Sequence, residues 1–231
     1  VLRKIDFDGE PPKIPWICDG VCARGYLTVL AGDAGMGKSW LALGLGKGVA
    51  EGRSIAGIPC EKGTVMYVDA ENGQLEMHRR VRALGLNGEC SVYLAEGFNL
   101  GTNQPGLAHY LATEQPSLLI LDGLRSLWPD GDENDSARVT GILDPLREML
   151  REYDVGCILL HHLNKTGGYR GSGAIKACPE ILINMYARNN TNIRLLKWEK
   201  CRIGNMPSHK HEFQIVNGPF GGVMLDSTTQ V

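Results

Sequence analysis

Between residues 25 and 164, short apolar runs alternate with stretches whose apolar residues recur every three or four positions. The run 25–32 (GYLTVLAG) predicts a strand, and the segment from about Lys38 to Ala50 predicts a helix behind it. The pairing recurs at 63–72 (GTVMYVDAEN), which is followed by the helical QLEMHRRVRAL, and 90–96 (CSVYLAE) predicts a third strand. Two further runs, 117–123 (SLLILDG) and 155–164 (VGCILLHHLN), are apolar without alternation, the pattern of strands covered on both faces of a parallel sheet. Between them, DSARVTGILDPLREMLREYD puts Val139, Ile142, Leu143, Leu146, Met149, Leu150 and Tyr153 on one helical stripe. Asp135 or Ser136 can cap its start, and Pro145 is expected to kink it or to mark a first turn.

From Glu180 onward the texture changes. EILINMYA, NIRLLKWEKCRI, HKHEFQIV and GGVMLDS follow one another without intervening helices and read as antiparallel strands. At the other end, residues 1–24 hold three prolines and little periodicity, and read as an arm or linker ahead of a domain over 25–231. The expected fold is α/β, with a mostly parallel central sheet flanked by helices and extended by antiparallel C-terminal strands.

Composition narrows the function classes. A formal net charge of −2 over 231 residues is not the signature of a nucleic-acid coat, so any such contact must come from a local patch. The seven cysteines are scattered and odd in number, which argues against a disulfide framework and makes a reducing cytoplasm the simplest setting. Cys18 and Cys22 form a CxxxC, but no second Cys or His pair follows at zinc spacing. No apolar run approaches the ~18 residues of a membrane span.

The sharpest local signal is AGDAGMGKS. Gly32, Gly37, Lys38 and Ser39 fit G-x4-G-K-[ST], with a predicted strand before and a predicted helix after. Loop amides from Gly32, Asp33, Ala34, Gly35, Met36 and Gly37 can face an anion at a helix start. Lys38 can reach β- and γ-phosphates, and the Ser39 hydroxyl can hold Mg²⁺. Asp122 ends the run LLILD, where it would emerge at the carboxyl edge of the sheet as the second Mg²⁺ anchor. Asp69 and Glu71 end VMYVDAE and share one strand face. Glu71, nearer the edge, is the candidate for orienting water, although either could instead cap the following helix.

Taken together, AGDAGMGKS, YVDAEN, LLILD, LLHHLNK, RGSGAI and KCR, in this order across residues 25–216, resemble the RecA-like ATPases. Within them they resemble the hexameric replicative helicases of plasmid RepA and DnaB type. The resemblance implies ATP and Mg²⁺ as ligands and His162 as a sensor of the γ-phosphate, with His161 on the opposite face. It also implies that the loop NKTGGYRGSGAIK touches single-stranded DNA. There Lys165, Arg170 and Lys176 would meet phosphates and Tyr169 would offer a face to a base. Lys200 and Arg202, by the same resemblance, reach into a neighbour's nucleotide. No arginine finger is evident in cis, so a homo-oligomer, a hexameric ring by resemblance, is expected. One departure is the loop WPDGDENDS, acidic where the family's is basic, with Arg125 as its nearest cation.

The implied activity is a Mg-dependent ATPase of helicase or translocase type, acting on single-stranded DNA in replication or recombination. Other readings of the same residues are a filament-forming recombinase or mediator, and a nucleotide-dependent switch with a protein partner. A nuclease using Asp69, Glu71 and Asp122 is a further alternative.

Overall fold

A computed structural model describes residues 9–86, 88, 90–163, 173–188, 191–207, 210–217 and 223–227. The chain opens with a two-stranded hairpin, β1 (Trp16–Cys18) and β2 (Cys22–Ala23). It then builds β3 (Leu27–Gly32), α1 (Lys38–Glu51), β4 (Val65–Asp69), α2 (Gly73–Leu84), β5 (Cys90–Leu94) and α3 (Gln104–Glu114). Next come β6 (Leu118–Asp122), α4 (Leu124–Leu127), α5 (Ser136–Glu152), β7 (Gly156–His162) and a short α6 (Ala174–Ala177). It closes with β8 (Ile181–Ala187), β9 (Ile193–Cys201), β10 (His211–Asn217) and β11 (Val223–Ser227). Nine strands form one sheet in the order β11-β10-β9-β8-β3-β7-β6-β4-β5.

Strand alternation divides the interior into two cores. Leu30, Tyr67, Ile120, Ile158 and Leu160 face α1, α2 and the N-terminal hairpin. Their neighbours Val29, Val68, Leu119, Leu121 and Leu159 face α3, α4 and α5. Burial on both faces explains the unbroken apolar runs of β6 and β7. The hairpin is part of the first core: Ile17, Cys18, Val21, Cys22 and Ala23 are all buried.

Helix α1 is buried nearly all round, which is why its sequence shows little amphipathic pattern. Its glycines sit where the sheet and the following loop come close. A Cβ on Gly46 would lie 3.3 Å from Val65 Cγ1, and one on Gly48 would lie 2.7 Å from Ile55 Cγ1. Helix α5 starts at Asp135, whose carboxylate accepts from Ala137 N and Arg138 N. It runs unbroken through Pro145, so the expected kink or first-turn boundary does not interrupt it. Ile142, Leu143, Leu146 and Leu150, buried on either side of the proline, hold the helix against the sheet and offset the lost hydrogen bond.

Three helices, α3, α4 and the short α6, were not foreshadowed by the pattern. In α3 only Leu107 and Leu111 are buried, and Pro105 and Gly106 disguise its first turn. A second difference concerns β8. The strands after Glu180 read as antiparallel, and β9, β10 and β11 are. But β8 lies parallel to β3, in register from Thr28↔Ile181 to Gly32↔Met185. Glu180 explains the difference by locking both strand starts. Its amide donates to Leu27 O (3.0 Å), and its carboxylate accepts from Leu27 N (3.1 Å).

The Glu180 carboxylate also accepts from Arg147 and Arg151 of α5, while the residue itself is 4% exposed. One buried carboxylate thus ties β3, β8 and α5 together. Glu180→Ala is expected to lower unfolding stability by about 2–4 kcal/mol, read by urea denaturation at neutral pH. Glu180→Gln, which keeps an acceptor, should cost less.

Candidate active site

The central parallel strands finish in two pairs, β4 and β6 two residues short of β3 and β7. Gly32 is level with His162 across β3 and β7, and Asp69 is level with Asp122 across β4 and β6. Loops leaving this edge carry the candidate groups into a cleft of about 410 Å³. Its walls include Gly35, Gly37, Lys38, Ser39, Glu71, Asn72, Asp122 and His162.

The phosphate loop turns on glycines. Gly37 holds φ +92° directly before α1, a conformation that side-chain-bearing residues rarely adopt. There is no room for a Cβ either, since one would meet Ile215 Cδ1 of β10 at 2.4 Å. A second C-terminal contact braces the loop from β9, where Arg194 Nε donates to Met36 O (2.8 Å).

Lys38 is 6% exposed and folds back onto its own loop, donating to Gly32 O (2.8 Å) and Asp33 O (3.0 Å). Its third contact is His162 Nδ1 at 3.2 Å. With Lys38 donating to Nδ1, the neutral ring carries its proton on Nε2, which faces Glu71 Oε1 at 3.4 Å. His162 therefore joins the candidate phosphate-binding cation to the candidate water-orienting carboxylate. His161 is on the other face and buried, 2% exposed. The two histidines divide as strand alternation predicts.

The carboxylates divide as well. Asp69 accepts from Asn72 N, Asn72 Nδ2 and Gly73 N, so it caps the start of α2. Glu71 is left to face the cleft. It lies across Gly123, where φ is +94° and a Cβ would strike the Glu71 carboxylate. Asp122 is 2% exposed and accepts from the Tyr67 hydroxyl and, at 3.4 Å, from Asn72 Nδ2.

Electrostatics follow from burial and neighbours. The Glu71 carboxyl is held below its ordinary range, chiefly by the hydrogen bond from His162, with Lys38 and Arg80 adding attraction. Burial pushes Asp122 up, against the Tyr67 and Ser39 hydroxyls that donate to it. Burial also pulls the Lys38 ammonium down, opposed by Glu71, Asp122 and Asp33.

These residues fit a magnesium-bound nucleoside triphosphate. A glycine cradle, a lysine and a helix start face the cleft, and the Ser39 hydroxyl bonds to a carboxylate that burial leaves short of solvation. Ser39 and Asp122 are the pair that would hold the ion.

Three cleft residues, Trp40, Asn72 and Arg80, have no counterpart among the sequence-derived candidates. Arg80 of α2 lines the wall, its guanidinium 5.3 Å from the Trp40 ring centroid and its Nε donating to Glu76 Oε1 (2.9 Å). This places an arginine of the same chain at the cleft wall, engaged with Glu76 and Trp40. The available signal was the spacing: Glu76 and Arg80 are four apart on a helix that begins beside Glu71.

Lys200 and Arg202 lie elsewhere. Cys201 is paired with Ile181, which is level with Thr28, so this segment sits at the sheet edge opposite the phosphate loop of the same chain. Lys200 Nζ donates to Lys176 O and Ala177 O, both at 2.7 Å, and burial lowers its pKa to about 8. Arg202 is exposed, and its amide donates to Glu180 O (3.0 Å). Lys176 is exposed in α6. Lys165, Tyr169 and Arg170 lie outside the described residues.

A family model described as "AAA domain" (AAA_25) matches residues 2–168. The chain belongs to this family. It is a RecA-like P-loop ATPase by family and by fold. The chain is 24% identical over 189 residues to the DNA repair protein RadA of Aquifex aeolicus (strain VF5), covering 80% of this chain and 39% of that protein. It is 22% identical over 221 residues to the DNA repair protein RadA of Chlamydia pneumoniae, covering 92% and 46%. It therefore spans less than half the length of these relatives. Among solved structures, the KaiC-like protein PH0186 of Pyrococcus horikoshii OT3 aligns with a TM-score of 0.64 at 18% identity, covering 90% of this chain and 93% of that one. That likeness supports the fold. Among the described residues no helix is long and apolar enough to cross a membrane.

Because burial disfavours the charged form of Asp122, its folded-state pKa lies above the ordinary 3.8. The folded chain then holds a proton that the unfolded chain releases, and the carboxylate costs stability once pH exceeds the folded value. Asp122→Asn should raise the urea midpoint at pH 7, and the gain should vanish below pH 3.8. ATP turnover should meanwhile fall at least ~10²-fold.

Proposed function

We propose that this ATPase hydrolyses ATP in sites shared between copies of the chain and uses the cycle to act on single-stranded DNA. The observation that carries the reading is the bridge from Lys38 through His162 to Glu71. A γ-phosphate drawing Lys38 off Nδ1 frees His162 to turn toward the phosphate. Glu71, released from its hydrogen bond, then accepts a proton from an incoming water. Presence of the terminal phosphate is thereby converted into a change of side-chain partners. Bound Mg²⁺, held by Ser39 and Asp122, supplies charge neutralisation between the phosphates. The remaining work is positioning and electrostatics, with no covalent intermediate on the protein.

The placement of Lys200 and Arg202 supports assembly into a homo-oligomer. A segment at the far edge of the sheet serves its own nucleotide poorly, whereas in a closed ring it would meet the next protomer's cleft. A hexamer is the favoured stoichiometry by resemblance to the ring helicases. Arg80 supplies cis charge at the cleft wall, which leaves the trans pair the task of coupling one site to the next. On DNA, the segment 164–172 with Lys176 is the proposed contact, repeated around the ring. The RadA relatives carry DNA repair in their names and favour that setting over replication. Asp69, spent on the start of α2, leaves the nuclease reading short of a carboxylate.

The reading is tested by ATP hydrolysis with and without single-stranded DNA across protein concentration. Turnover should rise as subunits associate and rise again with DNA. Glu71→Gln should bind nucleotide but lose ~10²–10⁴ in turnover. Arg202→Ala should lose on the order of 10³, and mixing it with Lys38→Ala should restore part of the rate, since each variant keeps what the other lacks. Concentration-independent turnover, silent to DNA and to Arg202→Ala, would remove both the shared site and the DNA contact.

A further inference from the structure

We infer that Cys18 and Cys60 form an oxidisable dithiol, whose disulfide fastens the N-terminal hairpin to the loop that follows α1. The pair is separated by 42 positions in sequence. In the fold the two residues oppose each other in an isolated antiparallel bridge. Asp19 N donates to Pro59 O (2.9 Å) and Glu61 N donates to Ile17 O (2.8 Å), one residue to either side. Hydrogen bonds in that arrangement define a non-hydrogen-bonded antiparallel pair, the site where side chains of facing strands come closest. The backbones there stand at a separation that a disulfide spans without rearrangement. The Sγ atoms are already 3.6 Å apart.

Burial gives the two thiols different parts. Cys18 is fully buried, whereas Cys60 is half-buried and reaches solvent. The contact between the two sulfurs lowers the Cys60 pKa and raises that of Cys18, which burial also pushes up. An accessible thiol of lowered pKa beside a second thiol is the arrangement of a redox-sensitive pair. The third cysteine of this region, Cys22, is turned toward Gly156 and Thr28 and its pKa is pushed up to about 12, so it competes poorly. Among the described residues no group of three His, Cys, Asp or Glu side chains is arranged to hold a metal ion, which leaves the thiols available for this chemistry.

The oxidant is hydrogen peroxide. The Cys60 thiolate attacks one peroxide oxygen, an S–O bond forms and the O–O bond breaks, and hydroxide leaves and is protonated to water. Cys18 then attacks the Cys60 sulfur, the S–S bond forms and the S–O bond breaks. The Cys18 proton joins the departing hydroxide as a second water. Two thiols lose two electrons, and the peroxide is reduced to two waters.

The test uses the whole chain, reduced, freed of reductant and exposed to hydrogen peroxide. Two of the seven cysteines should become refractory to N-ethylmaleimide in the denatured chain, with a mass loss of two hydrogens. Peptide mapping should place the cross-link between Cys18 and Cys60, and dithiothreitol should reverse it. The oxidised chain should unfold about 5 °C or more above the reduced one. Cys60→Ser, at a half-buried position that tolerates a hydroxyl, should abolish the cross-link, and Cys201→Ser should leave it intact. The inference is overturned if all seven cysteines stay reactive under peroxide that oxidises free cysteine. It is equally overturned if Cys60 proceeds to sulfinic acid without cross-linking, or if the cross-link joins any other pair.

Discussion

The geometry of the cleft rests on the register of four parallel strands. Strand β3 ends level with β7, and β4 ends level with β6 two residues short of the first pair, so Asp122 and His162 point to the same face at one end of the sheet. A slip of one residue in any pair would send Asp122 or His162 to the opposite face, because side chains alternate. The register is fixed by burial on both faces, which punishes a slip twice over, once in each core. Placement of the reactive groups is therefore a by-product of packing the sheet.

Within that frame the site is a crowded set of opposite charges. Glu71 and Asp122 are drawn close by the fold, and Lys38, His162 and the Tyr67 hydroxyl share the work of tolerating them. The division of labour is set by solvent: Glu71, which keeps contact with water, stays readily ionised, and Asp122, which does not, leans on hydroxyl donors. Asp69 escapes the competition by satisfying the amides at the start of α2. Three carboxylates close in sequence or register thus end with three different roles, and each role follows from the donors within reach.

How much of this could be read from the chain depends on range. The phosphate loop, Asp122 and the division of His161 from His162 were legible, because strand alternation and a glycine pattern act over a few residues. The choice of Glu71 over Asp69 was legible only as a preference; in the fold the amides of Asn72 and Gly73 occupy Asp69 and leave Glu71 facing the cleft. Arg80 was hidden, since a charge on an amphipathic helix reads as solvated until Trp40 is seen under it. The parallel course of β8 was hidden too, because it is set by Glu180 reaching back to Leu27 across most of the chain. Helix α3 escaped because two buried leucines are too few to show a period. Contacts between distant segments, such as Cys18 with Cys60, leave no trace in local spacing.

The brace on the phosphate loop has a mechanical consequence. Arg194 grips the carbonyl of Met36 and Ile215 presses on Gly37, so two strands from the end of the chain lean on a loop near its beginning. A displacement of that outer ribbon would be passed directly to the backbone of the glycine loop. The last strands of the chain and its first phosphate-facing turn are therefore built as one piece, so a substitution at Arg194 or Ile215 is felt at Met36 and Gly37.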